Sequence, residues 1–145
     1  MEKEYQFFGN DNCDVKPIHT NYKLKDPKEM YDYLSNIWCE YSCAPRMRKD
    51  WSKENMTLGQ CSITSFLVQD IFGGEVYGVP LGDGTFHCYN VVNNIVFDLT
   101  SEQFIDKKIH YDLMHIQLRG RYFARLERYA RYLMLKSRLL YKTRR

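Results

Sequence analysis

The stretch Thr85-Phe-His-Cys-Tyr-Asn-Val-Val-Asn-Asn-Ile-Val-Phe-Asp-Leu99 decides the fold of this chain. Its two halves are rich in β-branched and aromatic residues, and they are separated by Asn93-Asn94, a pair that tolerates positive φ angles. The pattern predicts an antiparallel hairpin with a two-residue turn. Counting outward from that turn, Val92 pairs with Ile95, which fixes the position of every other residue in the hairpin.

The predicted register places two chemically useful side chains on one face of the sheet. Tyr89 lies opposite Asp98, so His87 and Asp98 are diagonal neighbours whose side chains can meet. A carboxylate in this position could hold the imidazole in one tautomer. Asp98 could equally serve the next helix, where Thr100 and Gln103 fit a capping box, and the sequence leaves both roles open.

The upstream run Thr57-Leu-Gly-Gln-Cys-Ser-Ile-Thr64 supplies a candidate nucleophile. Thr57 and Gln60 fit the S/T-x-x-E/Q capping box, which predicts a helix start with Cys61 in its first turn. The free N–H groups and the macrodipole there stabilise a thiolate and lower the thiol pKa, as a cysteine nucleophile requires. The alternative is a buried structural thiol beside the apolar residues of the same helix, namely Ile63, Phe66, Leu67 and Ile71.

Two further side chains are candidate binding groups beside Cys61. Gln60 could present its amide to an oxyanion, unless the capping box already engages that amide. Trp51, in the polar loop from Arg46 to Met56, could line a pocket or simply pack against the core.

The remaining signals for helix starts, helix ends and strands predict an α+β fold. Asp26-Pro27 is typical of a helix start, and helical periodicity continues to Cys43-Ala44-Pro45. The Cys61 helix ends at Gly73-Gly74, and Glu75 to Val79 is strand-like. We therefore expect one domain over residues 1–145, with a small antiparallel sheet of about three or more strands packed against N-terminal helices and a long C-terminal helix. Residues 1–25 are poorly patterned.

Charge is divided unequally along the chain. Residues 107–145 contain twelve Lys or Arg and two Asp or Glu, whereas residues 1–106 contain nine and sixteen. Helical spacing predicts a basic amphipathic helix over residues 110–145, which could bind a nucleic-acid backbone or an anionic membrane surface, or dock on the acidic part of the chain. Its apolar stripe comprises Tyr122, Leu126, Tyr129, Leu133 and Leu140, widened by Phe123, Ala130 and Met134.

The five cysteines and the N-terminal sequence predict the cellular compartment of the protein. The cysteines lack the spacing of a disulfide framework, which indicates a reducing compartment. Cys39 and Cys43 are four residues apart, but no CxxC pair or histidine pair completes a tetrahedral set, so we expect no metal and no cofactor. The chain has neither a signal-peptide pattern nor an apolar run long enough to span a membrane, and we expect a soluble, cytoplasmic protein.

Three segments together resemble the YunG-like family of small bacterial proteins. They are Trp51–Gly74, then His87-Cys-Tyr-Asn90, and then Asp98–Phe104. The resemblance is clear over residues 34–104 and weaker over 128–139, and His87-Cys-Tyr-Asn90 replaces the family's usual His-Tyr-Trp-Asn. It implies that Tyr89 and Asn90 belong to a binding site around Cys61, His87 and Asp98. The order of helix-borne Cys and strand-borne His and Asp is also similar to papain-like and transglutaminase-like cysteine enzymes.

Three functions follow as hypotheses. Cys61, His87 and Asp98 could catalyse hydrolysis or acyl transfer at an amide or thioester of a small molecule or peptide. The same pocket could bind a ligand or peptide without turnover. Alternatively, the basic C-terminal helix is the working surface and the three residues are structural. The oligomeric state does not follow from the sequence.

Overall fold

A computed structural model describes residues 4–19, 21–104 and 106–144. Helices and strands follow one another in the order α1, α2, β1, β2, β3, β4, α3 and α4. Their bounds are α1 Pro27–Leu34, α2 Cys61–Phe72, β1 Glu75–Pro80, β2 Phe86–Val92, β3 Ile95–Phe97, β4 His115–Gln117, α3 Arg119–Tyr122 and α4 Leu126–Thr143. The α+β class predicted from the sequence is confirmed. None of the described helices is both long and apolar enough to cross a bilayer.

The four strands form one antiparallel sheet in the order β3-β2-β1-β4. Val92 pairs with Ile95, as predicted. Asn93 and Asn94 adopt φ angles of 52° and 68°, which is the left-handed conformation that a two-residue hairpin turn requires. The predicted hairpin register is therefore confirmed, while strand β4 was not anticipated.

Helix α2 packs across one face of the sheet. Its apolar side chains lie on the sides of the helix that contact other elements. Ile63, Leu67 and Ile71 are each 0% exposed. Asn90 on β2 donates from Nδ2 to the Ser65 carbonyl oxygen at 2.9 Å, which fixes the helix against the strand. This contact holds the first turn of α2 over the β2 residues that include His87.

Helix α1 is shorter than predicted. It starts as expected, because Asp26 accepts a hydrogen bond from the Glu29 N–H at 2.9 Å. It ends at Leu34 rather than near Cys43, because Ser35 Oγ and Asn36 Nδ2 both donate to the Asp32 carbonyl oxygen, at 2.7 and 3.2 Å. Such local side-chain bonds compete with continued helix, and the chain proceeds in turns.

The prediction of one helix over residues 110–145 is wrong. This region contains β4, the short helix α3 and then α4. The predicted stripe is also misplaced, since Leu126 is 84% exposed whereas Leu135 and Leu139 are 0% exposed. The buried face of α4 includes Arg131, whose Nε lies 2.9 Å from Glu127 and whose Nη1 donates to the Ser42 carbonyl oxygen at 3.0 Å. An arginine whose guanidinium is hydrogen-bonded can lie on the buried face of a helix, although a count of apolar residues would assign it to the exposed face.

The described part of the N-terminal segment contributes to the core despite its weak pattern. Phe7, Val15, Tyr22 and Leu24 are buried. Phe8 forms an isolated antiparallel bridge with Asp98, whose N–H donates to the Phe8 carbonyl oxygen at 3.0 Å. The segment therefore lies beside the strand end that carries Asp98.

Candidate functional site

Cys61 is the first residue of helix α2 and is half-buried. The first intrahelical bond of the turn runs from the Thr64 N–H to the Gln60 carbonyl oxygen at 3.2 Å. The N–H groups of the first helical turn have no partner within the helix and present partial positive charge. The predicted position of Cys61 in this turn is confirmed.

The capping box predicted for Thr57 and Gln60 does not form, and no side chain caps α2 among the described residues. Gln60 is itself the N-cap residue, so Thr57 lies one turn too early to cap the helix. The Gln60 side chain is 0% exposed and donates from Nε2 to the Cys39 carbonyl oxygen at 3.1 Å. It therefore anchors the helix start to the loop after α1 and is directed away from a ligand.

His87 and Asp98 form a buried ion pair. His87 Nε2 lies 2.6 Å from Asp98 Oδ2, and each side chain is 1% exposed. The other carboxylate oxygen accepts the Thr100 N–H at 3.1 Å and the Thr100 hydroxyl at 3.2 Å. Asp98 thus holds His87 and also forms a local turn with Thr100, but it does not cap the short 3₁₀ helix Ser101–Gln103 that follows. The Thr100/Gln103 capping box is wrong, because Gln103 Nε2 donates instead to the Thr100 carbonyl oxygen at 3.0 Å.

Tyr111 supplies a further bond that sequence reasoning missed. Its hydroxyl donates to Asp98 Oδ2 at 2.7 Å, so one carboxylate oxygen is shared by His87 and Tyr111. The Tyr111 ring also stacks on Phe8, with ring centroids 4.2 Å apart. No local pattern links residue 111 to residue 98, since the described part of the connecting chain forms only the short 3₁₀ helix Ser101–Gln103.

A second thiol lies beside Cys61. Ser62 Oγ is 3.7 Å from Cys61 Sγ and 3.4 Å from Cys88 Sγ, so one hydroxyl contacts both sulfur atoms. The neighbouring Cys88 thiol first, and the His87 imidazole to a smaller extent, hold the pKa of Cys61 well below its usual range, although burial opposes this effect. The pKa of Cys88 is raised well above its usual range, first by its interaction with Cys61 and then by burial. These directions favour a thiolate at Cys61 and a protonated thiol at Cys88.

The imidazole of His87 is held in its charged form. Burial lowers its pKa, but the charge and hydrogen bond of Asp98 and the interaction with Cys61 outweigh burial and raise the pKa to about 10. Nδ1 has no hydrogen-bond partner among the described residues. The edge of the ring packs against Phe104 at a centroid distance of 4.6 Å, which limits rotation about χ2. The ring therefore presents one nitrogen to Asp98 and keeps the other for a group near Cys61.

A cavity of about 850 Å³ opens over Cys61, a size that accommodates a small molecule or a short peptide segment. We call it the Cys61 cavity. Its floor includes Cys61, Ser62, His87 and Cys88, and its walls come from several separate parts of the chain. The wall residues used below are Arg46, Phe86, Phe104, Leu118, Arg121, Tyr122, Arg125, Glu127, Arg128 and Arg131.

The four predicted binding residues do not line the described part of this cavity. Gln60 holds the helix start, as described above. Trp51 donates from Nε1 to the Met56 carbonyl oxygen at 2.9 Å and braces its own loop. Tyr89 accepts the Leu113 N–H at 3.0 Å through its hydroxyl, and Asn90 binds the Ser65 carbonyl oxygen. Gln60 and Asn90 thus fix helix α2, which carries Cys61, whereas Trp51 and Tyr89 anchor the loops that contain Met56 and Leu113.

No group of three or more His, Cys, Asp or Glu side chains is arranged to hold a metal ion within residues 4–19, 21–104 and 106–144. The five cysteines of the described chain are free thiols.

Comparison with known proteins identifies relatives. A family model described as YunG protein matches residues 26–144. The uncharacterised protein YunG of Bacillus subtilis (strain 168) is 37% identical over 71 residues, which are 49% of this chain and 56% of that relative. The chain thus matches little more than half the length of this curated relative. No solved structure matches the chain. Because the family model covers most of the sequence, this protein belongs to the YunG family.

Proposed function

We propose that the protein is a cysteine-dependent hydrolase or acyltransferase that acts on an amide or thioester through Cys61, His87 and Asp98. The observation that carries the proposal is the meeting of a low-pKa thiol at a helix start with a histidine that is held by a buried carboxylate, at the floor of an open cavity. Nucleophile, base and orienting group in this relation are the parts of a cysteine acyl-transfer site.

In the first step, Cys61 Sγ attacks the acyl carbon and forms a thioester with it. The bond from that carbon to the leaving nitrogen or sulfur breaks, and His87 Nδ1–H gives its proton to the leaving group. Negative charge develops on the acyl oxygen meanwhile, and the free N–H groups of the first turn of α2 are placed to donate hydrogen bonds to that oxygen. The absence of a side-chain cap on the described α2 leaves these donors available.

In the second step, water or an acceptor nucleophile attacks the thioester. The proton of the nucleophile passes to His87 Nδ1, the bond to Cys61 Sγ breaks, and the thiolate returns. Loss of the Cys61 negative charge in the intermediate removes one of the interactions that raise the His87 pKa, so the ring becomes a better proton acceptor at this stage. Asp98 holds Nε2–H throughout and fixes the ring orientation.

The proposal is supported by a resemblance to the layout of papain-like and transglutaminase-like enzymes. The thiol begins a helix, and the histidine and its acidic partner come from neighbouring strand ends. Fold analogy alone does not establish a reaction, so the argument rests on the side-chain geometry.

The test is mass spectrometry of the full chain after incubation with an acyl thioester, with release of the free thiol measured in parallel. We expect one acyl group on the Cys61 peptide, thiol release in the wild type and none in Cys61→Ser. Cys39→Ser is the matched control, because Cys39 is also half-buried with a lowered pKa but does not line the Cys61 cavity. Unchanged turnover in Cys61→Ser, or acylation confined to other residues, would overturn the proposal. Retained ligand binding without acylation at Cys61 would favour a binding module.

A further inference from the structure

The walls of the Cys61 cavity carry an excess of positive charge. Five arginines line it, at positions 46, 121, 125, 128 and 131, whereas Glu127 is the acidic residue among the described lining. Glu127 is already paired with Arg131 at 2.9 Å. A concave site with this imbalance attracts an anion from solution, because low-dielectric walls concentrate the field inside the cleft.

Two of the five arginines already have an acidic partner. Arg131 is 4% exposed, and besides Glu127 it binds the Ser42 carbonyl oxygen and the Tyr122 hydroxyl. Arg46 lies 4.0 Å from Asp83, and both side chains are more than half exposed. Arg131 is thus a structural residue, and Arg46 has a weak solvent-screened partner.

Arg128 is fixed in orientation but keeps its charge. Its guanidinium lies over the Tyr122 ring at 4.3 Å from the centroid, and Nη1 donates to the Tyr122 carbonyl oxygen at 3.3 Å. Neither partner carries a negative charge at neutral pH, so the positive charge stays uncompensated. A stacked guanidinium is pre-organised for a carboxylate or phosphate, since less side-chain entropy is lost when it binds.

Arg121 and Arg125 complete the set. Both are exposed, with Arg121 in α3 and Arg125 directly before α4, and neither forms an ion pair with a described acidic residue. Phe86 and Leu118 line the same cavity and offer apolar surface beside these charges. The combination suits a ligand with an anionic group at one end and an apolar portion along the wall.

We propose that the substrate of Cys61 carries a carboxylate or phosphate group that binds Arg121, Arg125 and Arg128 while the thiol reaches the acyl carbon. This inference rests on the proposed function and specifies the substrate class. A guanidinium forms two parallel charge-assisted bonds with either anion, so the structure supports the shared chemistry of the two. The arginines surround a cavity rather than a flat face, which favours a small anion over a nucleic-acid backbone.

The test compares two alkylating reagents of nearly equal size. Iodoacetate carries a carboxylate, whereas iodoacetamide is neutral, and both transfer a carbon to Cys61 Sγ with loss of iodide. The ratio of their rates at Cys61, measured by peptide mass spectrometry, reports anion attraction independently of enzymatic turnover. Replacement of Arg121 and Arg125 together by Gln should lower this ratio about three- to tenfold at low salt, and added salt should reduce the difference.

The matched control is the double variant Arg138→Gln with Arg144→Gln, which removes the same charge from α4 and its end. Neither residue lines the Cys61 cavity. We expect its rate ratio to stay near that of the wild type. An equal fall in both double variants would show a net-charge effect and overturn the anion subsite. If Cys61 is alkylated fast but no variant changes the ratio of the two rates, the anion subsite is overturned as well. The proposal that Cys61 is a reactive thiol would then still stand.

Competition distinguishes the two sources of the anion. Succinate and pyrophosphate are added separately, and the fall in the iodoacetamide rate at Cys61 is measured for each. Stronger protection by succinate supports a carboxylate substrate, and stronger protection by pyrophosphate supports a phosphate. Thermal stabilisation by the same anions, lost in the Arg121/Arg125 variant, supports the subsite even if Cys61 reacts slowly. No stabilisation and no protection by either anion would overturn it.

Discussion

Nε2 of His87 and Oδ2 of Asp98 lie 2.6 Å apart in a part of the protein from which solvent is excluded. Because this bond occupies one ring nitrogen, any proton that His87 exchanges with a bound molecule passes through Nδ1. The pair thus restricts a residue with two possible proton sites to one of them.

Alkylation of Cys61 should follow a titration well below the free-thiol pKa of about 8.5, because Cys88 and His87 stabilise the thiolate. Cys13 and Cys43 provide internal controls, since burial raises the pKa of each to about 11. Rates at individual cysteines are measured by peptide mass spectrometry across pH. In His87→Ala the Cys61 titration should move upward. Slow reaction of Cys61 at every pH would contradict the thiolate assignment.

The ion pair of His87 should make stability depend on pH in a defined sense. The folded pKa of about 10 lies above the unfolded value of about 6.5, so the contribution is full below pH 6.5 and is lost as pH rises through the folded pKa. The lowered pKa of Cys61 acts in the opposite sense, and Cys61→Ser is therefore used as the background. Its free energy of unfolding, from urea titrations, should fall by a few kcal/mol between pH 6.5 and 10.

The control for this experiment is His87→Gln in the same Cys61→Ser background, which removes the titrating ring. Its stability should change less over this range. The upper end of the transition should lie below pH 10 in the Cys61→Ser background, because the thiolate is one of the groups that raise the His87 pKa. A stability that rises with pH in Cys61→Ser would refute the ion pair.

Tyr111→Phe should remove one hydrogen bond to Asp98 while keeping the ring that stacks on Phe8. A bond to a charged acceptor contributes about 1.5–3 kcal/mol, and we expect a loss in this range in the free energy of unfolding. Denaturant titration measures it. Tyr77→Phe is a suitable control, because Tyr77 is also half-buried and its ring stacks on Tyr89. Equal, negligible losses in both variants would mean that the Tyr111 hydroxyl contributes nothing to Asp98.

The orientation of α4 is tested by a pair of leucines. Leu135→Ala should cost about 2–5 kcal/mol of unfolding free energy, because the residue is 0% exposed and its loss leaves a cavity. Leu126→Ala should change stability by less than about 0.5 kcal/mol, because Leu126 is 84% exposed. Chemical denaturation of both variants checks the rotation of the helix. If Leu126→Ala costs more stability than Leu135→Ala, the apolar stripe predicted from the sequence is the buried face after all.

Gly59 controls the approach to the helix start. A Cβ atom there would lie 2.5 Å from Cys43 Sγ and 3.0 Å from the Ala44 nitrogen, at a φ of +70°. Gly59→Ala should therefore destabilise the fold and slow alkylation of Cys61 two residues later. Gly82→Ala is the matched control, since its φ is +88° but no atom lies within 4 Å of the added methyl group. If the two variants lose equal stability, backbone strain alone explains the effect and the contact with Cys43 is unimportant.

The hairpin could be predicted because its determinants are local. Turn chemistry at Asn93-Asn94 and the two-residue period of a strand operate within fifteen residues, and they bring His87 to Asp98 without reference to the rest of the chain. The position of Cys61 was also predicted, but through a capping box that does not exist. Gln60 is the N-cap residue, and its side chain bonds the Cys39 carbonyl oxygen, a contact that depends on tertiary structure.

The remaining features could not be predicted because distant partners decide them. Strand β4 has three residues and forms by pairing with the open edge of β1. The buried face of α4 includes Arg131. Burial of this arginine is tolerated because its guanidinium donates to Glu127, Ser42 and Tyr122. Tyr111 reaches Asp98 from an irregular segment. In each case the pattern within the segment is weaker than the contact that overrides it.

The arginines that α4 contributes to the Cys61 cavity, Arg128 and Arg131, are the last of the cavity-lining residues to be synthesised. Cys61 leaves the ribosome well before α4, and at translation rates of about 5–20 residues per second the interval is roughly 4–16 s. During that time the thiol has no wall carrying Arg128 and Arg131, and the α2 surface that packs on Leu135 and Leu139 is uncovered. The proposed anion selectivity of Cys61 therefore requires that α4 has docked, so the order of synthesis delays that selectivity until the cavity wall is complete.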